Sequence, residues 1–385
     1  MSPSPPRAAL LRLLSDTGAI SPEWADAFEA VPRSGFLPEV MWPFDPATGE
    51  SAAVDRRTDP EAWSRWAEAD VPITVQWDDG RHGGASPGGL YTSSASMPSL
   101  VFSMLRDLDA RPGMSVLEVG TGTGWNAALL SARLGDGAVT TVEVDAGLAA
   151  TAADNLHRAG FRPAVVAGDG LLGRPERAPF DRVIATCGLR SVPSAWISQT
   201  RPGGVVLVPW GTDYSPLDGI ARLVVAEDGE SASGRFTGPA QFMKARSQRL
   251  AWPDHEALVT DWPGEVSSTA LTEREAFSDD PYGALDFAVG LKVPRCVHAR
   301  GGQDDGARVA WFYAPEDRSW ALVRFPSGAG RAQVHQSGPR RLWDEVEAAY
   351  RWWAGAGRPG IGRFGLTVGA DGAHRVWLDD PDLRF

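Results

Sequence analysis

Five short β-branched apolar runs, 115–119, 139–144, 163–167, 182–186 and 205–208, recur along the middle of the chain with helix-length segments between them. Parallel neighbours in a sheet need a crossover of a dozen or more residues, usually helical, so this alternation is the pattern of consecutive βαβ units. It restricts the chain to an α/β architecture on a mostly parallel sheet. Before these strands, 6–14 reads as an apolar helix, and 21–30 as a helix opened by Ser21 as N-cap with Pro22 at the first position. A charged, tryptophan-bearing stretch (53–69) and a glycine-rich loop (80–89) follow. After Ala240 the texture changes. Runs at 307–313, 320–325 and 331–335 read as a meander, 364–378 around Asp371 and Gly372 as a hairpin, and Leu342, Trp343, Val346, Ala349, Tyr350 and Trp353 share one helical face. The expected division is therefore 1–240, a nucleotide-fold domain with N-terminal helices, and 241–385, an α+β module of its own. Its tryptophans read first as core and sheet cover, and only second as a binding surface.

The first strand runs into V-L-E-V-G-T-G-T-G-W (116–125), with an apolar run able to form a helix behind it. A dinucleotide fingerprint needs G-x-G-x-x-G, its third glycine letting the helix start close to the strand with a pyrophosphate at its N-terminus. Here the glycines are Gly120, Gly122 and Gly124, and Trp125 stands where that third glycine would be. A nucleoside ligand that crosses the turn without phosphates fits better, which describes S-adenosylmethionine. Glu143 ends the second strand 23 residues after Gly120, where a carboxylate can accept from both ribose hydroxyls. Asp169 ends the third strand, placed to accept from an adenine amino group. A lone acid after a strand caps a helix about as often as it meets a ligand. In register on one sheet, the acids and the turn favour the cofactor.

Composition removes other classes. The formal charge of −12 counts against a nucleic-acid partner, whose phosphates call for clustered positive charge. No apolar run reaches the roughly 18–20 residues of a membrane span, and M-S-P-S-P-P-R (1–7) is no secretory signal, so a cytoplasmic protein is expected. Cys187 and Cys296 are far apart, with no Cys/His spacing, so neither a disulfide framework nor a metal site is expected.

With the turn placed, the sequence resembles the protein L-isoaspartyl O-methyltransferases. A-V-P-R-S-G-F-L-P-E (30–39) is similar to that family's N-terminal VPR-x-x-F-x-P-E element, and Y-T-S-S-A-S-M (91–97) sits where the family carries its T-x-S-x-P-x-M substrate segment. G-D-G (168–170), A-P-F-D-R (178–182) and P-G-G (202–204) before Val208 and Pro209 resemble further family elements, so that the likeness spans roughly residues 10–212. The resemblance implies S-adenosylmethionine as cofactor, with S-adenosylhomocysteine as product. Glu118, Thr121, Val144 and Gly170 join Gly120, Gly122, Gly124, Glu143 and Asp169 in the expected cofactor set. It also implies a peptide substrate met by Ser93, Ser94, Ser96 and Met97, with Ser94 the catalytic hydroxyl that holds one carboxylate oxygen. The same serines precede the helix begun by P-S-L-V-F (98–102), which Ser96 is best placed to cap.

The departures shape the functional expectation. Ser96, Met97 and Pro98 stand where the family has proline, histidine and methionine, and 241–385 is expected to have no counterpart in the repair enzymes. Forms with such an addition resemble methyltransferases of ribosomally made, macrocyclic peptides. The first reading is therefore methylation of an ordinary aspartate in a constrained peptide, the ester collapsing to aspartimide. The module would then recognise the peptide through surface carried by Trp311, Trp320, Trp343, Trp352 and Trp353. The alternatives are isoaspartate repair and, from another class, peptide binding without catalysis.

Overall fold

The computed structural model describes residues 5–383 apart from 305 and 329. Its main sheet has nine strands, in the order His374–Leu378, Phe364–Val368, Ala232–Ala240, Asp218–Val225, Thr200–Trp210, Phe180–Ala185, Val116–Val119, Val139–Glu143 and Ala164–Ala167. The last five are the strands expected from the β-branched runs, and they are parallel. The first four are antiparallel. Val116–Val119 is buried along its whole length, as a central parallel strand covered on both faces must be. One face lies under Phe102, Leu105, Leu129 and the N-terminal residues Leu10, Leu14, Trp24 and Phe28; the other lies under Trp196, Phe236, Phe287 and Phe364. The strand order reverses between Val116–Val119 and Phe180–Ala185, which opens a crevice at their carboxyl ends.

One antiparallel strand of the main sheet carries little sequence signal. Ala232–Ala240 buries only Ala232, Phe236 and Ala240, and a Cβ on its Gly234 would lie 1.8 Å from the Arg222 carbonyl oxygen, so close approach replaces apolar alternation. At the other end of the chain, the helix expected over 21–30 splits into a 3₁₀ turn, Pro22–Trp24, and a helix, Ala25–Ala30, and the Ser21 hydroxyl makes no capping bond.

The C-terminal residues form a second sheet, in the order Glu265–Thr269, Ala332–Ser337, Ser319–Phe325, Ala307–Ala314 and Val297–Asp304, which contains the expected meander. The expected hairpin forms but does not stay in that module. Phe364–Val368 pairs with Ala232–Ala240 and extends the main sheet, because Phe364, Leu366 and Val368 complete its core. Helices Ala284–Lys292 and Leu342–Gly355 lie between the two sheets: Phe287 and Ala288 enter one core, Leu285, Val289, Trp343 and Val346 the other. Trp320 and Trp343 are buried outright, while Trp252 and Trp262 are 60% and 51% exposed.

Tyr214, Phe277 and Phe312 ring His298, whose Nδ1 has no hydrogen-bond partner among the described residues. Loss of water around the imidazole, with Arg300 nearby, pushes His298 down to about 4. Between its unfolded value near 6.5 and about 4 the unfolded chain binds the extra proton, so this stabilisation is present above pH 6.5 and lost as pH falls towards 4. Allowing for the ring's partial exposure, the loss is expected to be roughly 2 kcal/mol. Urea unfolding at pH 7 and pH 4.5 should show a smaller acid loss in His298→Gln than in the native chain; equal losses would remove His298 as the cause.

Candidate active site

The turn after Val116–Val119 reverses the chain with φ values of +100°, +54° and +92° at Gly120, Gly122 and Gly124. A side chain at Gly120 would also meet the Thr186 hydroxyl at 2.5 Å, so both conformation and space require glycine there. Trp125, in the place of the third fingerprint glycine, is buried, and its indole N–H donates to the Val31 carbonyl at 3.2 Å, fastening the N-terminal segment to the turn. Below the turn, Glu118 is fully buried and accepts from Thr141 Oγ1 at 2.6 Å and Asn126 Nδ2 at 2.7 Å. Burial pushes its carboxyl up to about 7 against those bonds. The Thr121 hydroxyl joins the network at 2.6 Å from that of Thr141. Glu143, at the next strand end, accepts from the Gly122 N–H at 2.9 Å and the Asp145 N–H at 3.1 Å, so its carboxylate is fixed beside the turn. Asp169 is exposed, and its side chain accepts from Leu171 N–H at 2.9 Å, capping a short turn.

A cavity of about 370 Å³ lies over these groups, within the range of small-molecule sites. Gly120, Thr121, Gly122, Glu143, Val144, Asp169, Gly170, Ser93, Ser94 and Ser96 border it; Glu118, Gly124 and Met97 do not. Cys187 also lines its wall.

The serines belong to a separate sheet, where Tyr91–Ala95 pairs with Ile73–Trp77 and places Thr74 opposite Ser94. Ser93 is buried, its Oγ facing Gly122, while Ser94 is half-buried. Ser96 does not cap the following helix, Pro98–Leu108. Met97 occupies the N-cap position without a side-chain bond, and Asp70 accepts from the Ser99 N–H at 2.8 Å instead. The carbonyls of Ala95 and Ser96 turn to Arg33, each 3.0 Å from Nη2. Arg33 also donates to Ala69 and Val71, and burial lowers its guanidinium to about 10. The VPR element thus sets the position of the serine strand.

The remaining wall was not expected from sequence. Residues 242–249, beyond the last main-sheet strand before the C-terminal module, cross the cavity as a strap. Gly188 N–H donates to Met243 O and Ala245 N–H to Gly188 O, both at 2.9 Å. Arg246 reaches Asp79 and Asp145, each at 3.1 Å, and Arg249 reaches Asp79 at 2.8 Å. Burial opposes ionisation of Asp145, but the Leu148 N–H, Arg246 and Gln76 together hold it below its usual range. The site therefore draws on both sides of residue 240. Among the described residues no three His, Cys, Asp or Glu side chains are grouped to hold a metal ion, and no helix is long and apolar enough to cross a membrane.

Strand order, the glycine turn at the switch point and the cavity above it define the α/β fold of S-adenosylmethionine-dependent methyltransferases. A sequence model of protein-L-isoaspartate(D-aspartate) O-methyltransferase matches residues 53–233. The chain is 35% identical over 170 residues to a protein-L-isoaspartate O-methyltransferase of Pyrococcus horikoshii, covering 44% of this chain and 70% of that protein. It is 37% identical over 180 residues to one of Hyperthermus butylicus, covering 44% and 73%. The chain belongs to the protein-L-isoaspartate O-methyltransferase family and is an S-adenosylmethionine-dependent carboxyl methyltransferase. A solved structure of a protein of that name superposes with a TM-score of 0.55 at 23% identity, covering 97% of this chain and all of that one. The C-terminal region therefore has a fold counterpart in such a protein, against the expectation that it had none.

Proposed function

We propose that this chain methylates the carboxylate of isoaspartyl residues in peptides or proteins. The observation that carries this is the serine strand closing the same cavity as the glycine turn, so that a carboxylate admitted beside Ser94 meets the cofactor. Glu143 would hold the ribose hydroxyls and Asp169 the adenine amino group; both border the cavity on neighbouring strand ends, so the residues present fit the cofactor. When bound, S-adenosylmethionine supplies an electrophilic methyl group on a sulfonium. A carboxylate with an ordinary pKa near 4 is already ionised at neutral pH, so the protein need not supply a base. Its work is to strip water from the carboxylate and align it, which is worth about 7–11 kcal/mol in favourable cases. Ser94 donates to one carboxylate oxygen and leaves the other to attack.

Ser94→Ala is expected to slow single-turnover methylation about ten- to hundredfold, the worth of one hydrogen bond to a charged group, with S-adenosylhomocysteine affinity nearly unchanged. A normal rate would move the assignment to Ser93, whose hydroxyl already faces Gly122.

A second reading, methylation of an ordinary aspartate in a constrained peptide, draws support from Ser96, Met97 and Pro98 in the substrate segment and from the exposed Trp252 and Trp262. Of the five tryptophans offered for a binding surface, Trp320 and Trp343 serve as core and Trp311, Trp352 and Trp353 are half-buried, so recognition by the C-terminal region would fall mainly to the exposed Trp252 and Trp262. Trp252 packs edge-on against Tyr313, only three residues beyond Arg249 at the cavity. Mass spectrometry separates the readings. A linear isoaspartyl peptide gaining one methyl group supports repair chemistry; a cyclised aspartyl peptide gaining a methyl group and then losing methanol supports tailoring.

A further inference from the structure

Lysine is nearly absent from this chain: only Lys244 and Lys292 occur. Lys244 lies in the strap and lines the cavity together with Thr186 and Cys187. Its side chain is 10% exposed, and its ammonium is ion-paired to Asp218, which is fully buried. Room for the pair is made by glycines. A Cβ on Gly188 would lie 3.1 Å from the Lys244 Nζ and 2.6 Å from Asp218 Oδ2, and one on Gly211 would lie 2.2 Å from Asp218 Oδ1. Loss of water pushes the Asp218 carboxyl up to about 6 and lowers the Lys244 ammonium, while their mutual attraction opposes both changes.

Such a pair is a poor device for stability. Desolvation of two buried charges offsets their attraction, and apolar residues of similar volume are often as stable or more so. The strap, moreover, is already tied to Gly188 by two backbone hydrogen bonds. An ammonium has three donors, and Asp218 takes one.

We propose that Lys244 is a substrate-binding residue whose remaining donors hold an oxygen of the peptide carboxylate that becomes methylated. The inference rests on the preceding functional reading only in taking a carboxylate as substrate. In the reaction a carboxylate oxygen forms a bond to the methyl carbon as the carbon–sulfur bond breaks, its electron pair staying on sulfur. No proton moves, so Lys244 acts as a donor and not as a base. The carboxylate loses its charge as the reaction proceeds, so a cation beside it favours the bound substrate more than the transition state. Asp218 moderates that bias by balancing the ammonium. Loss of Lys244 therefore falls on KM more than on kcat.

The test is steady-state kinetics of the full-length protein with a linear isoaspartyl peptide and a cyclised aspartyl peptide. Lys244→Met should raise KM about ten- to hundredfold for whichever peptide is methylated, with kcat changed less than about threefold and S-adenosylhomocysteine affinity unchanged. Because that change strands Asp218, the double variant Lys244→Met with Asp218→Asn carries neither charge and should show the same rise in KM. An unchanged KM in the folded double variant overturns the proposal and leaves the pair as a tie between strap and sheet. Which of the two peptides the unaltered enzyme turns over decides the substrate reading separately.

Discussion

Glu143→Ala should weaken S-adenosylhomocysteine binding by at least about a hundredfold. Two hydrogen bonds from ribose hydroxyls to a buried charged acceptor are each worth about 1.5–3 kcal/mol. The carboxylate has a second duty in the protein alone, because it accepts from the Gly122 and Asp145 N–H groups and so fixes the turn on which the nucleoside would lie. Glu143→Gln keeps an acceptor in place and should lose less. Calorimetry with S-adenosylhomocysteine, supported by circular dichroism, measures both. An alanine variant that is folded and binds with native affinity would end the assignment of Glu143 to the cofactor.

The second large effect is expected from ending the chain after Ala240. The strap, residues 242–249, would be gone, and with it one wall of the cavity. The main sheet would also lose the strands that cover Ala232–Ala240, and its core would lose Phe287, Phe364, Leu366 and Val368. Removing even one large core side chain costs about 3–5 kcal/mol, comparable with much of a domain's stability. Such a fragment should show neither cooperative unfolding nor detectable cofactor-product binding. A fragment that melts cooperatively and binds S-adenosylhomocysteine as the whole chain does would show that 1–240 is an independent unit, as its sequence texture had indicated.

What could be read from the sequence follows from what carries a periodic or short-range signal. Four of the five parallel strands are buried on both faces along their apolar runs, the edge strand Ala164–Ala167 being half-buried yet still β-branched, and the turn's glycines are forced by backbone conformation, so both were legible. Ala232–Ala240 has two interior glycines and a proline, and its place is set by the neighbours it pairs with. The strap was illegible for a related reason. Q-F-M-K-A-R-S-Q-R (241–249) has no period, and its position depends on partners such as Asp79, Asp145, Gly188 and Asp218 from four distant segments. The serine segment was found by resemblance, but the cap assigned to Ser96 was misplaced because Asp70, 29 residues before Ser99, supplies it. Tryptophan content likewise does not reveal orientation: Trp320 and Trp343 turn inward, and Trp252 and Trp262 turn out.

The way the last hairpin joins the main sheet also bears on how the chain is made. Ala232–Ala240 pairs with Phe364–Val368, yet the 123 residues from 241 to 363 must be synthesised between them. At about 5–20 residues per second, the ribosome takes roughly 6–25 s to deliver them. For that time Ala232–Ala240 lacks its later partner, and the N–H and C=O groups it will pair with Phe364–Val368 stay open to pairing with another chain. The five-stranded module has the same interval in which to fold. A polysome carrying this message therefore holds its partly made copies at their most adhesive just before the final strands close the edge.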